Sequence, residues 1–97
     1  MKKVINPQAI EIQKRFFEAL DVAIESGALP GGLKEFCNDH GLNRVKYSSI
    51  KNDLKRKEEE VKPHSYKVID IDALAHICRD FGVSPEWLLF GRGKMFV

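Results

Sequence analysis

Cysteine is scarce in this 97-residue chain: Cys37 and Cys78 are the only two, far apart and each at an apolar helical position. That excludes a disulfide scaffold and fits free thiols in a reducing compartment. A long hydrophobic run is missing as well, since nothing approaches the ~20 apolar residues that cross a bilayer. The opening MKKVINPQAI has two lysines but no apolar stretch of the kind a secretion signal needs. A soluble, cytoplasmic protein is expected. Excess charge is lacking too, with a net +2, so the overall balance gives no argument for a polyanionic partner. His40, His64 and His76 have neither the mutual spacing nor the neighbouring ligands of a zinc site. No metal and no cofactor are expected.

What is present is the composition of a globular protein, 43% hydrophobic and 31% charged, without repeats or low-complexity tracts. Ninety-seven residues suffice for one core, so the chain reads as a single domain, 1–97. The organising stretch is 33–57, LKEFCNDHGLNRVKYSSIKNDLKRK. A helix over 33–40 turns Leu33, Phe36 and Cys37 inward. Gly41 can take a positive φ and end it without a Cβ penalty. Leu42 returns to the core, and Asn43 is placed to cap the next helix.

That next helix, 44–58, carries the functional signal. Tyr47, Ile50 and Leu54 fall within about 60° of one another and form a narrow apolar stripe. The opposite arc carries Arg44, Val45, Ser48, Ser49, Asn52, Lys55 and Arg56, with Asp53 to one side. Six basic residues stand against one acid between positions 44 and 57. A solvated face mixes charge signs; this one offers cations, hydroxyls and an amide. Those groups meet phosphates and base edges in a DNA major groove.

The stretch resembles the helix-turn-helix of phage-repressor-type (Cro/CI-like, XRE) DNA-binding domains. In that register Gly41 takes the turn glycine, and Cys37 the position four before it, where two helices need a small side chain. Leu42, Tyr47 and Ile50 take the buried positions after the turn. Tyr47 and Cys37 depart from the usual Val or Ile and Ala; Tyr47 suits burial only if its hydroxyl finds a partner or the surface. A nucleophilic role for Cys37 would also require a base and an oxyanion site, so no catalytic residue is expected and the chain is not read as an enzyme.

The remaining elements fit the same plan. Asn6-Pro7 starts a helix over 7–26, with Ile12, Phe16, Ala19, Leu20, Ala23 and Ile24 inward and Phe17 at the edge. Residues 61–69, with Pro63, read as an irregular loop, and Glu58–Glu60 as an outward extension of the third helix. Asp70 is expected to cap a helix over 71–81 whose inner face is Leu74, Ile77, Cys78 and Phe81. Ser84-Pro85-Glu86 opens a fifth over 85–90. The string FGVSPEWLLFGRG is similar to the last two helices of many phage-repressor-type domains. The resemblance implies an all-α, compact five-helix bundle of the lambda-repressor type. The tail, 92–97, either hangs free, folds onto the core or pairs with a second subunit.

The implied function is a transcriptional regulator reading double-stranded DNA with the helix that starts at Arg44, as a monomer or a homodimer. Asn43, Arg44, Val45, Lys46, Ser48, Ser49, Lys51, Asn52, Lys55 and Arg56 form the expected contact set. Arg44 suits a guanine edge, Asn52 an adenine or a phosphate, and Ser48 and Ser49 base edges. Lys46, Lys51, Lys55 and Arg56 suit phosphates. Val45 meets either a thymine methyl or the edge of the core. Trp87 is read as an anchor for the fifth helix rather than a stacking platform. The rival is an interaction module of the same fold that binds protein instead; exposed apolar residues on the third helix would favour it.

Overall fold

A computed structural model describes residues 7–55 and 68–97, the side chain of Lys55 excepted. Glu58–Glu60, most of the 61–69 loop, Arg56 and the cap expected from Asn6 lie outside the described residues. Within them the chain is all-helical: α1 (Pro7–Glu25), α2 (Gly32–His40), α3 (Arg44–Lys55), α4 (Ile71–Phe81) and α5 (Pro85–Phe90). No described helix is long and apolar enough to cross a membrane.

α1 is the central strut and packs on each of the other four helices. Phe16, Phe17, Ala19, Leu20 and Ala23 are buried along it, meeting Phe36, Cys37, Tyr47, Ile50, Ile77 and Leu88. Phe17 is therefore not at the edge of the face but inside it, edge-on to Phe16 at 5.0 Å. Ile24 only borders the core. Gln13 is buried despite its amide, because Oε1 accepts the Ile69 N–H at 2.9 Å. A buried backbone donor left unpaired would cost about 1–3 kcal/mol, so the amide is part of the core's design.

α2 ends where Gly41 takes φ 66°, and its N–H closes on the Cys37 carbonyl. A Cβ at Gly41 would meet nothing within 4 Å, so the demand for glycine there is conformational rather than steric. Asn43 then starts α3, its Oδ1 accepting the Lys46 N–H at 3.1 Å.

α4 departs from expectation at two points. Asp70 makes no side-chain cap bond; its carboxylate is drawn to Tyr47 and Lys46 instead. The buried side of α4 is also rotated relative to the expected one. Ala73 and Ile77 are buried, while Leu74, Cys78 and Phe81 are only partly covered. The small Ala73 lets α4 approach α1, and the bulkier Leu74 is turned toward a surface groove. That groove, about 640 Å³, is bordered by Ile71, Leu74, Cys78, Val83, Leu89 and Val97.

α5 begins as its sequence promises, with Ser84 Oγ accepting the Trp87 N–H at 3.4 Å and Pro85 in the first turn. Trp87 lies partly buried against the core. Arg15 of α1 holds the other end of α5, donating to the carbonyls of Leu88 (2.8 Å) and Leu89 (3.1 Å). Of the three fates open to the tail, the chain folds back. Ser84 N–H donates to Met95 O and Val97 N–H to Gly82 O, both at 2.8 Å, around a Val83–Phe96 bridge.

Candidate functional site

α3 is seated by its apolar stripe. Tyr47 and Ile50 are buried and Leu54 packs against the core, chiefly toward α2 and α1. A polar tie also links the stripe to the start of α4. The Tyr47 hydroxyl donates to Asp70 Oδ2 at 2.8 Å and accepts the Asp70 N–H at 2.9 Å. This gives the departing tyrosine its partner. Burial pushes the Tyr47 phenol well above its ordinary range. The same hydrogen bond, with Lys46 next to it, holds the Asp70 carboxyl below the usual carboxylate value.

Seating α3 this way turns one face outward. Arg44, Val45, Ser48, Ser49, Asn52 and Asp53 line a shallow hollow of about 370 Å³. Arg44 and Asn52 are exposed, and Ser48 and Ser49 half-exposed. Val45 is 73% exposed, which settles its position: it is on the outer face and not at the core edge. Asp53 corrects the reading of an arc without acid close by, because it lines the same hollow as Asn52. Arg44 makes no ion pair among the described residues. Its charge does reach Cys37, whose thiol burial pushes up while Arg44 pulls it down.

The other cations of the expected set are placed differently. Lys46 Nζ lies 3.3 Å from Asp70 Oδ1, and Lys51 Nζ lies 2.9 Å from Asp21 Oδ1 of α1. Both ammonium groups are thus turned to the flanks of α3, away from the hollow. The Lys55 side chain and Arg56 lie outside the described residues. Asn43 uses its side chain as a cap.

Sequence reasoning missed Asp21 and Asp70 as partners of α3. Asp70 carries a helix-start signature that masks its true role, and Asp21 pairs across 30 residues with no local signal. It also missed that the His40 and His76 rings stack 3.8 Å apart at 11°, each beside a carboxylate, Asp80 and Asp72 respectively. No group of three or more ligating side chains among the described residues is arranged to hold a metal.

The outward face can do one kind of chemistry well. It offers a planar fork of donors, two hydroxyls, an amide that both donates and accepts, and one apolar contact, with the Asp53 carboxylate at the same hollow. Comparison with protein-family models, with curated proteins and with solved structures returns no match for this chain.

Proposed function

We propose that this domain is a lambda-repressor-like helix-turn-helix module that binds double-stranded DNA and regulates transcription, reading the major groove with α3. The observation that carries the reading is the outward face itself. Arg44 makes no ion pair among the described residues, Ser48, Ser49 and Asn52 stand beside it, and the helix carrying them is backed by a buried tyrosine and isoleucine. An α-helix is 10–12 Å across with its side chains, matching the ~12 Å width of the major groove. Arg44 in the first turn reaches a guanine edge, Asn52 an adenine edge or a phosphate, and Val45 a thymine methyl. Lys55 and Arg56 are assigned to phosphates, and no cofactor or chemical step is needed.

Selection of bound sequences from random duplex DNA tests this directly. A recovered consensus whose enrichment disappears with Arg44→Ala is the expected result. Recovery of no sequence above background would overturn the reading.

A second reading rests on the apolar groove between α4 and α5, which suits a protein partner. Within the DNA-binding proposal that surface is assigned to a second copy of the chain. An interaction module without DNA binding would instead show no duplex affinity at any salt concentration.

A further inference from the structure

The three cations of α3 whose side chains are described are not equivalent. Arg44 has no ion-pair partner among the described residues, whereas Lys46 and Lys51 are each held by an acid from another part of the chain. Five positions at 100° per residue place the two lysines about 140° apart around the helix, one on each flank of the apolar stripe. A helix that fills the major groove brings its flanks nearest the two phosphate walls. Lysines there are the ordinary source of sequence-independent attraction, which rests on phosphate neutralisation. Here that attraction is met in advance by carboxylates of the protein itself.

From these pairs we infer that Asp21 and Asp70 are specificity-determining residues of the proposed DNA-reading site. They hold Lys51 and Lys46 in intramolecular ion pairs, and so lower affinity for duplex of any sequence more than affinity for the preferred one. The inference rests on the DNA-binding proposal and adds to it a reason why a helix with several lysines need not be a general polyanion binder. Each acid acts twice. It neutralises a lysine, and it places a negative charge where a phosphate would otherwise come to rest. The Lys51–Asp21 pair is half-exposed, with side-chain accessibilities of 24% and 48%, so it adds little to the stability of the fold. Its effect falls on the partner.

Asp21 is the residue to change, because Asp70 also holds the Tyr47 hydroxyl. Asp21→Asn, Lys51→Met and the double variant are compared with the wild type by fluorescence anisotropy, on a selected duplex and on random-sequence duplex, across a salt series. Thermal unfolding confirms that each variant is folded. Asp21→Asn is expected to bind random duplex ~3-fold or more tightly at low salt, with the slope of log K against log salt steeper by about 0.9, one more phosphate neutralised. Preference for the selected duplex falls accordingly. In the Lys51→Met background the same substitution is expected to change neither quantity. An equal gain with and without Lys51 would reduce the effect to net charge and overturn the inference, as would no gain at all. If the wild type binds no duplex, the DNA-binding proposal fails and takes this inference with it. If the wild type binds and Arg44→Ala removes its preference while Asp21→Asn is silent, the inference alone fails.

Discussion

The Tyr47 hydroxyl and Asp70 make two hydrogen bonds to each other, one in each direction: Oη donates to Oδ2 at 2.8 Å and accepts the backbone N–H at 2.9 Å. A single hydroxyl thereby joins the buried side of α3 to the start of α4. Tyr47→Phe keeps the ring and removes both hydrogen bonds, leaving the half-exposed Asp70 carboxylate to Lys46 and solvent. A loss of ~0.5–1.5 kcal/mol per hydrogen bond is expected, the net worth of such a bond. Urea denaturation measures it; an unchanged midpoint would mean that water replaces the hydroxyl without loss.

Asp70 also sets a pH dependence. Its carboxyl is held below the ordinary value by the Tyr47 hydrogen bond first and by Lys46 second. The folded state therefore binds fewer protons than the unfolded one over that range. The resulting stability is present in full above the unfolded value, near 3.9, and is lost as pH falls through the lower folded value. Denaturation midpoints between pH 2 and pH 6 are expected to fall more steeply in the wild type than in Asp70→Asn.

Two neighbours on α4 should respond differently to truncation. Ile77 is fully buried and Leu74 lines the groove. Ile77→Ala is expected to cost ~2–5 kcal/mol, the range for emptying a core aliphatic, and Leu74→Ala distinctly less. Chemical denaturation of both variants ranks them. Equal losses would return Leu74 to the core.

Arg44→Ala is expected to cost ~1–3 kcal/mol on a selected duplex and much less on random duplex, flattening preference at one base pair. Paired titrations at two salt concentrations provide the comparison. Equal weakening on both DNAs would make Arg44 a phosphate contact and require another docking of α3.

Ile71 and Val97 are 87% and 95% exposed beside the α4–α5 groove. Apolar side chains bordering such a groove suit burial by a second copy. Sedimentation is expected to show a concentration-dependent dimer that Ile71→Glu converts to monomer. A wild type that stays monomeric at high concentration would rule out this use of the groove.

The helices and the α2–α3 turn are legible in the sequence because their signals are local. Gly41 must take a positive φ, Asn43 and Ser84 bond within three residues, and Tyr47, Ile50 and Leu54 share one side of a helix. What is hidden depends on distance along the chain. Leu74 outranks Ala73 by hydrophobicity, yet close approach to α1 selects the smaller residue for the interior. Asp70 has the form of a cap, and Tyr47, 23 residues away, takes its carboxylate. Arg44, Ser48, Ser49 and Asn52 share an outward face as periodicity requires. The withdrawal of Lys46 and Lys51 follows from acids that only the fold brings near.

Arg15 reaches across 73 and 74 residues to the carbonyls that end α5. Because α1 is the surface on which the other four helices assemble, the first of these five to leave the ribosome is among the last to be satisfied. Its apolar side, with Phe16, Phe17 and Leu20, has no complete partner until α5 has been synthesised. Helix pairs such as α2–α3 can form early from nearby contacts, but closure of the domain waits for the end of α5. A ribosome stalled before residue 88 should therefore hold a collapsed, protease-sensitive chain, and one stalled well after residue 97 a protected one.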